Sequence, residues 1–401
     1  MHWRKLTPRR AFLQAIAGAA LPIGTITGHP QSTSVPSAGD LGVKLISSFP
    51  HATLTDISPD AKRICLYLDR NPIRTFTYTG EWTELMSPKS GKDGLRFIET
   101  GSWKSIGGLS LRERPVIGSF FADGEALYVE TQPITGNDGK FTAQRALIDI
   151  RTQKVDEITV QLNARGVSFH YAAVEDRNLL GSAYNTATAL TEAFVKVEAG
   201  SYREIRRVPL VSALAAGLDH REVGPTVSGD RRAFVFFFDG EITYRRTSDL
   251  EIVWSRQIDP GLRAWKLAMS HDGALVAASI AERQLIRPDP QKGYVQIYDG
   301  LNGSPVGRLA LGPITSVALS PDRRLLAVTK SSASVNKPSE VELSVLVFEI
   351  GSGRKVATLT HDRIAGSHLA IRSLIETMFT SDGKYLISSG FQTKVWSIAG
   401  L

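Results

Sequence analysis

The stretch TSDGKYLISSGFQTKVWSIAGL, residues 380–401, decides the fold. KYLISS alternates large apolar with small or polar residues, Gly390 interrupts it, and TKVWSI resumes the same period of two, as half-buried strands do. Just upstream, LIETMFT is a third such run, closed by the turn SDG. Three strands with short turns form a meander, and its open edge would invite pairing with other chains. A fourth strand must come from elsewhere in the sequence.

The same phrase recurs. AMSHDGALVAASI (268–280) leads to VQIYDGLNGSPVGRLAL, and VALSPDRRLLAVTK (317–330) leads to VLVFEIGSGRKVATLT, each reading strand, tight turn, strand, gap, strand, tight turn, strand. The turns of these copies carry Asp272, Asp322 and Asp382, and weaker copies turn at Asp60, Asp123, Asp176 and Asp230 before apolar runs such as RICLYL and AFVFFF. The seven aspartates are spaced by 63, 53, 54, 42, 50 and 60 residues. Seven four-stranded antiparallel units at that period predict a seven-bladed β-propeller, an all-β domain spanning 42–401. A ring must join its last blade to its first, so the unassigned run GVKLISSF (42–49) is expected to be the outer fourth strand of the terminal blade.

From about 263 to 401 the chain resembles the WD-repeat and YVTN group of propellers, in the wider superfamily of quinoprotein-dehydrogenase-like propellers. SPDRRLLAV and SDGKYLISSG…KVWSI stand where that group has its turn and its third-strand Trp, and His361 stands where WD repeats place a structural His. The Trp recurs at that place in one unit only, and most units lack the Trp-Asp pair. The resemblance implies a fold and very little chemistry, because propellers host enzymes, binding modules and scaffolds alike.

The first 28 residues read as a targeting segment: a basic start, then a short run rich in Ala and Gly, too brief and interrupted for a comfortable membrane span. RRAFLQ resembles the twin-arginine export signal, with Arg9 and Arg10 as the pair and Phe12 and Leu13 as the apolar positions after it. Pro8 and Gln14 depart from the commonest form, which keeps a general secretory signal or an uncleaved anchor open as alternatives. Residues 29–41 read as a Ser/Pro-rich linker, and the expected location is periplasmic or secreted. The formal charge of +7 includes four basic and no acidic residues in 1–38, leaving +3 beyond them, which argues against nucleic acid as a partner. A lone cysteine, Cys65, sits in the apolar run RICLYL and excludes an intrachain disulfide.

No phosphate loop, nucleophile elbow or paired-cysteine metal motif occurs, and no metal or cofactor is expected. His361 and His368 lie seven residues apart in a connecting segment, a weak pattern for metal ligands. Glu175 with Asp176, and Asp249 with Glu251, fall at turns and read as solvated groups.

Loop lengths carry more information. In a four-stranded antiparallel blade the first and third turns share one face of the ring, and the second turn and the crossover share the other. The first and third turns are tight, whereas the long inserts 70–93, 131–143, 281–293 and 331–342 take the second-turn position beside the crossover 361–372. Nine residues before each turn aspartate, where the innermost strand begins on that face, stand His51, Arg114, Val167, Arg221, Arg263, Pro313 and Ser373, with Arg372 adjacent. With 47 Lys and Arg in 401 residues, seven random positions would hold about one basic residue. A basic collar is therefore expected, with Tyr78, Trp82 and Trp265 as apolar anchors. The sequence reads as a monomeric, non-enzymatic binding or scaffolding module for a protein partner or small anionic ligand, without nucleic-acid or stable membrane contact. The competing class is a propeller enzyme, either a lactonase-type hydrolase or a redox-cofactor-dependent dehydrogenase.

Replacing Arg9 and Arg10 together by Lys is expected to leave precursor in the cytoplasm, because the twin-arginine machinery reads the pair as an address rather than as charge. Pulse-chase fractionation checks it, and unchanged export would mark the general secretory route instead.

Overall fold

The computed structural model describes residues 42–401 except 51, 69–72, 77–81, 87–93, 111–114, 132–133, 136–140, 163–166, 186–189, 211–222, 239, 283–292, 313, 315, 334–339, 362–363, 366–375 and 391. Seven four-stranded antiparallel blades form a ring, a seven-bladed β-propeller. Blades 1 to 6 span 52–110, 115–162, 167–209, 223–257, 262–310 and 316–360, and blade 7 combines 376–397 with the N-terminal strand. The single helical element among the described residues is a 3-10 turn, Glu175–Arg177, at the first turn of blade 3.

The terminal blade finds its fourth strand where the meander required it. Lys44–Pro50 pairs antiparallel with Gln392–Ser397, from Lys44 opposite Ser397 to Pro50 opposite Gln392, within two residues of the expected 42–49. Backbone groups at the end of the chain are thus satisfied by its beginning. Two hydrogen bonds continue the closure across the joint between blades 7 and 1: Thr393 Oγ1 donates to the Ala52 carbonyl at 2.8 Å, and Leu54 N–H donates to Ser389 Oγ at 2.8 Å.

The period-two pattern follows from what each strand touches. In AFVFFF (Ala233–Phe238), Ala233, Val235 and Phe237 join the core between blades 4 and 5, while Phe234 and Phe236 join the core between blades 3 and 4. In RICLYL (Arg63–Leu68), Cys65 and Tyr67 face blade 2, and Ile64 and Leu66 face blade 7. The hydrophobic core is divided into seven clusters, one at each joint of the ring. Both faces of a blade are buried, so alternating positions are apolar for two different neighbours.

The turn aspartates recur because they build the turns. Ser58, Ser228, Ser270, Ser320 and Thr380 each donate a hydroxyl hydrogen bond of 2.5–2.7 Å to the aspartate two residues on. The same hydroxyl accepts the N–H of the residue five positions on, and the aspartate accepts the N–H two positions beyond itself. The residue after the aspartate is left-handed, as Gly273 (φ +70°) shows in blade 5, yet Arg231 and Arg323 hold the same place at φ 65° and 64°.

Deleting residues 42–50 is expected to lower stability by about 3 kcal/mol or more, since the terminal blade loses its outer strand and the cover over Val395 and Trp396. Denaturant unfolding checks this, and an unchanged midpoint would remove the strand from the closure.

Candidate functional site

Strand order fixes the two ends of the ring. The first and third turns lie at one end and are tight, and the second turns and crossovers lie at the other, so all four inserts expected from sequence share one face. The insert of blade 1 folds on itself: Ile73–Phe76 pairs with Trp82–Met86 as a two-stranded hairpin outside the blade. The insert of blade 2 and the crossover after blade 6 add short pairings, Ile134–Thr135 on Phe141–Asp149 and Ile364–Ala365 on Glu340–Glu349.

Of the expected collar and anchors, His51, Arg114, Arg221, Arg372 and Tyr78 lie outside the described residues, as do the export-signal residues Arg9, Arg10, Phe12 and Leu13. Trp82 opens the second strand of the insert hairpin, opposite Phe76. Arg263 and Trp265 are described. Arg263 pairs with Ala281 across Leu262–Met269 and Leu275–Glu282, which sets it at the insert-face end of the innermost strand of blade 5. A bulge between Ala264 and Lys266 takes Trp265 out of the ladder. The Arg263 guanidinium stacks 4.1 Å from the Trp265 ring centroid and is buried, and its Nε donates to the Ala264 carbonyl at 3.4 Å. The indole N–H of Trp265 is buried without a hydrogen-bond partner among the described residues.

The central channel was not foreseen as a charged site. All seven blades line a cavity of about 720 Å³ on its axis, to which blades 2 and 3 contribute only Gly118 and Ala172. Two ion pairs cross it. Lys266 Nζ of blade 5 stands 2.6 Å from Glu376 Oε1 of blade 7, and each residue lies six positions before its turn aspartate, Asp272 or Asp382. Asp56 of blade 1 lies four positions before Asp60, one layer and about 7 Å nearer the tight turns. It meets Arg231 Nη2 of blade 4 at 3.1 Å. Asp56 also accepts the N–H of Ile57 and of Phe120 in blade 2, both at 2.8 Å. Burial pushes its carboxyl above the usual range, against the lowering pull of Arg231 and the two amides. The signal for this site was an ionisable residue inside an innermost strand, in ATLTDI, LRAWKLAM and ETMF.

His361 is buried with Nε2 2.7 Å from Ser388 Oγ, and Trp396 Nε1 donates to the same hydroxyl at 2.9 Å. This is the structural place expected for that histidine, tying the end of blade 6 to blade 7. Among the described residues no group of three or more His, Cys, Asp or Glu is placed to hold a metal ion. Cys65 is buried, and burial pushes its thiol well up.

No protein-family model and no curated protein matches the chain. Solved structures do. A chain of the Mitotic Checkpoint Complex superposes with a TM-score of 0.51 at 12% identity over 98% of both chains. A chain of Kuenenia stuttgartiensis hydrazine synthase superposes with a TM-score of 0.51 at 16% identity, over 94% of this chain and 100% of its own. At such identities the likeness is one of fold.

The two channel pairs are expected to differ in weight. Asp56→Ala leaves Arg231 buried without its carboxylate and should cost about 3–5 kcal/mol. Glu376→Gln, in a pair about one third exposed, should cost at most about 1 kcal/mol. Denaturant unfolding of both variants checks the order.

Proposed function

We propose that this protein is an exported, non-enzymatic binding module that engages a protein partner through the insert face of the propeller. The observation that carries the reading is the asymmetry of the two ends. Tight turns whose own side chains fill their hydrogen bonds close one end, while four inserts and the crossovers build up the other, with a hairpin rising from blade 1. Long connections on a rigid ring are where recognition residues usually sit. Export through the twin-arginine route, suggested by Arg9 and Arg10, would place the module in the periplasm as a folded domain.

The partner's contact region is read as acidic. In sequence Arg114 and Arg221 stand nine residues before their turn aspartates, as Arg263 does, and guanidinium groups near a channel mouth focus potential on carboxylates. Trp82 falls on the hairpin strand and Trp265 beside the mouth, and Trp is a residue type that often anchors interfaces. Arg263 itself is buried against Trp265, so its part is to hold the indole as well as to contribute charge.

Site-specific photo-crosslinking in the producing cell tests the reading. A crosslinker at Tyr78 or Trp82 should give one discrete adduct, and one at Lys62 or Arg354 on the tight-turn face should give none. Replacing Arg114 and Arg221 by Glu should abolish the adduct while thermal unfolding stays close to the parent. Equal labelling from both faces, or an adduct indifferent to the charge reversal, would refute it.

A further inference from the structure

The channel wall is polar, and its fixed charges cancel. Two cations and two anions line the cavity, and each cation faces an anion: Arg231 with Asp56, and Lys266 with Glu376. Threonines stand among them, Thr53 on blade 1 and Thr226 on blade 4. Such a wall offers hydrogen bonds without favouring either sign of charge in a ligand.

The two pairs differ in what they leave available. Arg231 and Asp56 are 9% and 13% exposed, and Asp56 also accepts two backbone amides, so that pair is committed to the ring. Lys266 and Glu376 are 32% and 35% exposed and line the cavity. Their contact is a single hydrogen bond of 2.6 Å from Nζ to Oε1. An ammonium has three donors and a carboxylate two oxygens, so two N–H groups of Lys266 and Oε2 of Glu376 remain without partners among the described residues. Blade 6 lies between the two and carries small, buried Ser316 at the corresponding position, which lets the side chains meet.

Space lies opposite. Across the axis from blade 6, blades 2 and 3 contribute only Gly118 and Ala172 to a cavity of about 720 Å³, within the range of ordinary small-molecule sites. The Gly118 side is already filled, since a Cβ there would overlap the Thr55 methyl. Ala172 is partly exposed and borders the open part.

We infer that the channel binds a neutral polyhydroxylated ligand of monosaccharide size, anchored on the Lys266–Glu376 pair. Vicinal hydroxyls suit the pair because one accepts from Lys266 Nζ while its neighbour donates to Glu376 Oε2, and the ion pair stays closed. Both bonds are charge-assisted. A zwitterion competes with each partner for the other's charge, whereas a diol completes both. This reading is independent of the insert face.

Calorimetric titration of the full chain with methyl α-D-glucoside, methyl α-D-galactoside, methyl α-D-mannoside and myo-inositol tests it, with gluconate, glucosamine and alanine as charged counterparts. At least one neutral probe should bind saturably with a midpoint of about 1 mM or tighter, and the charged probes at least about tenfold more weakly. Glu376→Gln and Lys266→Met should each weaken the neutral probe by about tenfold. Ala172→Leu, which fills the open side and touches neither charge, should abolish binding; if it fails to fold, the two pair variants decide. Silence from all four neutral probes, tighter binding of a charged probe, or affinity indifferent to Glu376→Gln and Lys266→Met overturns the inference.

Discussion

Every blade of this protein is apolar on both faces, and that single constraint organises the rest. A blade such as the one holding Phe234, Val235, Phe236 and Phe237 cannot be the end of a stack, because one of its two faces would then meet water. The ring removes all ends at once. Its one covalent discontinuity lies in the terminal blade, where Lys44–Pro50 hydrogen-bonds to Gln392–Ser397 and the two termini of the domain are joined by backbone pairing. Loss of that pairing would expose the flank of blades 7 and 1, including Ile387, Val395, Ile64 and Leu66, and not merely fray a tail.

The same geometry divides labour between the ends. First and third turns are short because their Ser/Thr and Asp side chains satisfy the backbone locally, and they repeat nearly unchanged in five blades. Second turns and crossovers carry no such requirement, and there the chain elaborates a hairpin and two short extra pairings. A rigid closed end and a variable open end give the molecule a direction, and recognition by a partner belongs at the variable one.

Between them, the channel carries charge where small apolar residues would have sufficed. The Asp56–Arg231 contact joins blades separated by two others, and the Lys266–Glu376 contact spans blade 6. Burying such pairs gives little net stability, since desolvation offsets most of the attraction. Their effect is to fix which side chains occupy the axis and in which orientation. The guanidinium of Arg231 is held across the ring by the buried Asp56 carboxylate.

The alternation in KYLISS and TKVWSI, the recurring turn aspartates and the run GVKLISSF were sufficient to specify seven blades, their strand order and the closing strand. These are local properties: a strand's period and a turn's hydrogen bonds are set by residues within about six positions of one another. Loop lengths extended that reading to the asymmetry of the faces, because strand parity converts length into position. The charged channel was beyond it. Asp56 and Arg231 are 175 residues apart and Lys266 and Glu376 are 110, so nothing in their own neighbourhoods marks them as partners. Nor did the sequence distinguish Arg231 from Arg323, which share a turn position but meet different carboxylates, buried Asp56 across the ring for Arg231 and half-exposed Asp272 on the rim for Arg323. Arg263 shows the same division: its register placed it at the mouth of blade 5, but the bulge that lets Trp265 stack on it, and so buries it, exists only in the folded sheet. Contacts across the axis depend on ring closure, and closure is a property of the whole chain.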